Sequence, residues 1–181
     1  MQHPRSPDPV SDPKGYQDHL IGLLGEDDPA AVQASTPPML RAQVQDAGTD
    51  LRIRPEPNEW SVMGCIAHML DAEIAMSARY RFVLAQDEPP LIGYDQDLWV
   101  ERLHGDDEDV ESILDLFDAL RLANVTLWQR TPTELRQRVG MHQERGPESY
   151  DLSFRMLAGH DRFHMAQANR ALWAVRGRSR A

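Results

Sequence analysis

Between Ser61 and Gln86 the chain reads SVMGCIAHMLDAEIAMSARYRFVLAQ, with no proline anywhere in the run. Val62, Ile66, Met69, Met76, Tyr80 and Val83 recur there at three- and four-residue spacing, which lays apolar side chains along one face of an α-helix. Just upstream, RPEPNE at 54–59 cannot hold a helix, because two prolines remove donors and restrict their neighbours. Ser61 is therefore the expected N-cap. His68 interrupts the apolar pattern. Its helical neighbours Gly64, Cys65, Ala72 and Ala75 form a stripe of small side chains that leaves room beside the ring.

The same periodicity governs the rest of the chain. A first helical region is expected from about Tyr16 to Ala47, broken near Gly25 and again where Thr36 caps a segment beginning with Pro37. A third helix follows from Asp109 to Arg130, with Val110, Ile113, Leu114, Phe117, Leu120 and Leu127 on one face; Thr131-Pro132 then opens a short extra turn. After a loop from Gly140 to Pro147, Ser149 caps a fourth helix reaching about Arg176, with Gly177 as its stop. DEPPLIGYDQDLWVERLHGDD at 87–107 reads as an irregular crossover that leaves helices two and three parallel. Alternating β-branched runs and internal repeats are absent. The expected fold is all-α, an antiparallel four-helix bundle with a long crossover between helices two and three. Residues 1–12 and 177–181 are expected as tails and 13–176 as one domain.

Composition narrows the function. Hydrophobic residues are 41% and charged residues 27% of a chain of 181 residues, which suits one ordinary globular domain. No apolar run is long enough to cross a bilayer, and the N-terminus, MQHPRSPDPVSDPKGYQ, lacks the apolar core of a signal peptide. A soluble, cytoplasmic protein without membrane contacts is expected. The formal charge of −10 repels phosphate backbones, and only the terminal RGRSRA is basic, so nucleic acid is not an expected partner. With Cys65 as the only cysteine, a metal site must be built from histidine and carboxylate.

Histidines supply the candidates. His160 and His164 are four apart on the last helix, so both rings leave from one face. That face runs Tyr150, Ser153, Leu157, His160, His164, Gln167, Ala171 and is the inward one. Chance pairs at this spacing are common, and a satisfied core histidine is the plainer reading of each ring alone. Together with His68, however, they make a set that one divalent ion would satisfy, with an open position left for water or substrate. Asp71 is a candidate fourth ligand or orienting acceptor, with a solvated acid as its bland alternative. Glu73 and Arg79 read as structural groups, such as an ion pair to a neighbouring helix, with Glu73 a second catalytic candidate, as a base. His3, His19, His104 and His142 have no ligand-like neighbours. Trp60, Tyr94 and Trp99 come from segments that can roof a cavity, though core packing explains each singly.

PEPNEWSVMGCIAHMLDAE at 55–73, DEPPLIGYDQDLW at 87–99 and GPESYDLSFRMLAGHDRFHMAQ at 146–167 resemble the DinB superfamily, specifically its DinB-2 branch, over about residues 16 to 175. The resemblance implies a four-helix bundle with a long second crossover. It also implies a first histidine on helix two after a Trp-Ser start and a His-x-x-x-His pair on helix four, here His68, His160 and His164. Phe163 stands where the family often has another aromatic or a histidine. Homodimers and thiol-dependent transferases or hydrolases acting on small molecules are what such a likeness implies.

The expectation is thus a metal-dependent enzyme, thiol transfer placed ahead of hydrolysis. Zinc is the first choice of metal, with nickel, iron, copper or manganese as alternatives, and a low-molecular-weight thiol is a possible cosubstrate. Two other readings stand beside it. One is a stress-related binding or scaffold protein with a structural metal site; the other is a metal-free small-molecule pocket framed by Trp60 and the crossover.

Overall fold

The computed structural model describes residues 7, 8 and 10–178. His3 and parts of both expected tails lie outside them. Helix α1 spans Pro13–Leu24 and α2 Pro29–Ala47; each is capped by an aspartate, Asp12 accepting from the Gly15 amide and Asp28 from that of Ala30. Gly25, at φ +64°, ends α1 where the break is expected.

The second expected break is corrected. Helix α2 runs straight through Pro37 and Pro38. Proline at 37 has no amide for the carbonyl of Gln33, and that carbonyl accepts from the buried guanidinium of Arg121 instead, at 3.3 Å. Thr36 is no cap: it is buried, and its hydroxyl donates to Asp161 at 2.7 Å.

Helix α3, Val62–Ala85, begins as expected, with Ser61 Oγ accepting from the Gly64 amide. It is buried on nearly every side, as befits a helix apolar most of the way round. Next come strand β1, Pro90–Leu91, and helix α4, Gln96–Leu103, so the connection expected as irregular carries structure of its own. Helix α5 spans Val110–Arg130 from an Asp109 cap. Strands β2, Val139–His142, and β3, Gly146–Ser149, form a hairpin, with Gly146 at φ +74°, and β1 joins β2 in parallel. The helical fold expected from the sequence holds with a small three-stranded sheet added to it, and the loop expected over 140–147 is corrected. Strands of two to four residues are too short to show an alternating pattern, so no periodicity announces them. Ser149 Oγ accepts from the Leu152 amide and α6 runs Tyr150–Arg178, past the expected stop at Gly177.

The bundle is a ring in which α3 packs on α6, α6 on α2, α2 on α5, and α5 back on α3. Helix α1 lies outside the ring against α6, seated at Gly159, where a Cβ would stand 2.0 Å from the Leu20 carbonyl oxygen. The core has two apolar clusters, one around Met63, Ile66, Leu114, Phe117 and Leu172, the other around Tyr80, Trp128, Tyr150 and Phe154. Along each bundle helix a buried polar layer falls between them: Gln33 and Thr36, then Glu73, then Arg121 and Asn124, then Asp161. Arg121 spans this layer, paired with Glu73 at 2.8 Å and with Asp161, while Asn124 donates to Glu73 at 2.7 Å. One guanidinium thus ties all four helices together. Among the described residues no helix is long and apolar enough to cross a membrane.

Candidate metal centre

Next to that polar layer, α3 and α6 bring three imidazoles together. His68, His160 and His164 are all buried, and each offers a ring nitrogen within 4.8 Å of the others. The closest approach is Nε2 of His68 to Nε2 of His160, 2.9 Å; ring centroids lie 4.2 to 4.9 Å apart. Trp60 lies over His164 and beside His68, with centroids at 5.9 and 4.8 Å, and Phe163 meets His164 edge-on.

Each ring's protonation follows from its surroundings. Burial drives His68 and His160 well below the usual imidazole pKa, with His164's proximity adding to the fall. Burial also lowers His164, to about 4. All three are therefore neutral near pH 7 and carry a free lone pair. The Nδ1 of His164 lies 2.9 Å from Gln167 Oε1, which can only accept, so Nδ1 holds the proton and Nε2 is left as the donor atom. His68 Nδ1 and His160 Nδ1 have no hydrogen-bond partner among the described residues. Without an ion the Nε2 pair of His68 and His160 can share only one proton, and both of their Nδ1 atoms stay buried without a partner among the described residues, which is costly as packing. A divalent cation fits this donor set, because it satisfies all three lone pairs at once.

The site opens on one side. A cavity of about 480 Å³ reaches His68 and His160, and Ala72, Ala75 and Met76 extend its wall along α3, so the small-residue stripe does border space. Tyr94 lines it as well and lies tilted against Trp99, centroids 4.3 Å apart, while Trp60 packs on the rings of His68 and His164.

The carboxylates expected near the site have other partners. Asp71 does orient an imidazole, but that of His104, whose Nε2 lies 3.0 Å away; the other nitrogen of His104 meets Glu108 at 2.7 Å. Burial pulls His104 down, yet its hydrogen bonds to Asp71 and Glu108 outweigh burial and hold its pKa above the usual value. Glu73 keeps both oxygens on Arg121 and Asn124, as a structural ion pair would. For Arg79 the ion-pair reading is corrected: no carboxylate lies within ion-pair distance among the described residues, and the side chain lines the cavity. His142, read as a loop residue, sits buried in β2 on the same cavity wall. Neither His104 nor His142 could be placed from sequence: His104 reaches back to Asp71 on α3, and His142 sits in a strand too short to show a pattern.

A helical bundle that holds three neutral, inward-facing histidines beside a cavity defines the class of protein. The chain belongs to the DinB superfamily, whose family model matches residues 36–168. Among solved structures it is similar to YfiT from Bacillus subtilis, described as a probable metal-dependent hydrolase with an unusual four-helix bundle topology. That likeness has a TM-score of 0.72 at 19% identity and covers 98% of this chain and 94% of that one, which establishes a shared fold. No curated protein matches the chain.

Proposed function

We propose that this chain is a metal-dependent enzyme acting on a small molecule in the cavity beside His68, His160 and His164. The observation that carries the reading is the convergence of three neutral imidazoles where the cavity reaches the bundle core. A divalent ion held there, zinc by preference, would supply Lewis acidity and lower the pKa of a water or thiol at an open position. The chain's own residues do the rest: Gln167 fixes one ring, Trp60 shields two from solvent, and Arg121 holds α3 and α6 in register through Glu73 and Asp161.

Thiol transfer stands ahead of hydrolysis. Water needs a base to take its proton; Asp71, Glu73 and Glu148 are each committed to a cationic or hydrogen-bonding partner, and the other carboxylates around the cavity, Asp8, Asp95, Asp97 and Glu144, are exposed at its surface. A thiol starts from a pKa of about 8.5, far below that of water, so with a cation beside it its proton would pass to solvent at neutral pH without a dedicated base. Hydrolysis draws its support from the description given to YfiT. A closed, purely structural site is disfavoured by the cavity. The proposal includes the antiparallel arrangement of the bundle, with 87–107 crossing between α3 and α5. It also includes a homodimer, whose interface would cover an apolar side chain such as Trp173, 70% exposed on α6.

The test is zinc-loaded protein with glutathione and monochlorobimane, beside p-nitrophenyl acetate without thiol. Zinc-dependent conjugation that His160→Ala abolishes is the expected result. Ester cleavage alone would replace transfer by hydrolysis. Neither activity, together with a cobalt spectrum that ignores added thiol, would leave a structural site.

A further inference from the structure

One face of α3 builds the cavity wall from His68 through Ala72, Ala75 and Met76 to Arg79. These residues follow at four-, three-, one- and three-residue steps, so histidine and arginine stand on the same face about three turns, or ~16 Å, apart along the axis. Arg79 is only 9% exposed. It donates to the Ile92 carbonyl and, at 3.5 Å, to Met76 Sδ, but it has no carboxylate partner among the described residues.

The neighbouring charges do not serve it. Arg145 and Glu148 pair with each other at 2.7 Å, and the second oxygen of Glu148 accepts from Ser153 at 2.6 Å. Burial, reinforced by the charge of Arg145, pulls the Arg79 guanidinium down from its usual value, as for a cation short of a counterion. His142 is 3% exposed and adds a second unused donor. Its Nδ1 accepts from the amides of Glu144 and Arg145 at 3.2 and 3.4 Å, so the proton sits on Nε2. That Nε2 is buried without a partner among the described residues.

We propose that Arg79 and His142 form a seat for a single carboxylate, so that the molecule processed in this cavity is a small carboxylic acid in its anionic form. The inference rests on reading the cavity as the substrate chamber. One guanidinium with one neutral N–H balances one negative charge. A phosphate dianion would be under-neutralised, and it would have to pass exposed Asp8, Asp95, Asp97 and Glu144 around the same cavity. The acid is anchored at Arg79, its body lies along Ala72 and Ala75, and its far end reaches His68 and His160.

Calorimetric titration of the full chain, metal-free and zinc-loaded, with benzoate, benzamide and inorganic phosphate tests the seat. Benzoate is expected to bind at least about tenfold tighter than benzamide in both forms. Arg79→Gln should remove that preference, with Arg79→Lys keeping part of it and zinc stoichiometry the same in both. Equal binding of benzoate and benzamide, or phosphate binding tighter than benzoate, would overturn the proposal; this comparison needs only the wild-type chain. Benzoate that binds only with zinc and is indifferent to Arg79→Gln would place the carboxylate on the metal and also overturn it. A protein that takes no zinc yet keeps the Arg79-dependent preference would sustain the seat and refute the metal-dependent function.

Discussion

Of the three clustered imidazoles, only His164 has a hydrogen-bond partner at Nδ1 among the described residues, Gln167 Oε1; His68 and His160 meet each other through their Nε2 atoms. Such an orienter holds the tautomer and raises the donor strength of the opposite nitrogen. Gln167→Ala is therefore expected to weaken zinc binding by about 10- to 100-fold while leaving helix content unchanged. Competition against a chromophoric chelator reads this, and unchanged affinity would mean that Gln167 positions nothing. Gln167 was legible on the inward face of the last helix, as were His160 and His164, because a long helix fixes which residues share a side. Arg79, His104 and His142 were not legible in the same way. His104 depends on the distant Asp71, and Arg79 and His142 meet only where folding brings α3 and β2 to one cavity wall, which local spacing does not reveal.

At the scale of elements, α4 is held to α3 by one histidine between two carboxylates, Asp71 and Glu108. The pKa of His104 is raised in the folded state, so its stabilisation is fully present below the unfolded value of about 6.5 and is lost as pH rises through the folded one. The stability gap between wild type and His104→Asn, from urea unfolding, is expected to be widest near pH 5.5 and to shrink above neutrality. A gap that grew with pH would contradict the assignment. Elements differed in legibility for a physical reason. Long capped helices such as α3 and α5 announce themselves through period and cap, whereas β2 and β3 form a hairpin of strands too short to show a pattern and β1 joins it from some fifty residues upstream. Helix α2 runs through Pro37 with the help of a tertiary contact, Arg121 bonding the Gln33 carbonyl that this proline leaves free.

Over the whole molecule, the polar layer and the histidine cluster make contrasting contributions. Arg121→Met would leave Glu73 and Asp161 buried against each other without their cation, at a cost of about 3 to 5 kcal/mol. That is a large share of the total for a domain of this size, so the urea midpoint should fall steeply; a shift under ~1 kcal/mol would deny the layer its role. In metal-free protein the three histidines work against stability in acid. Their folded pKa values are depressed, so the unfolded chain binds protons that the folded chain refuses. Stability should therefore decline as pH falls from 6.5, with His164 alone costing about 3 kcal/mol by the time pH reaches its folded value near 4. A flat thermal midpoint between pH 7 and 5 would contradict this.

Zinc binding at pH 7.5, titrated calorimetrically into metal-free protein and compared with His160→Ala, tests the metal centre most directly. Close to one ion per chain with a raised melting temperature, both lost in the variant, is the expected result; no uptake by the wild-type chain, or equal uptake by the variant, would contradict it.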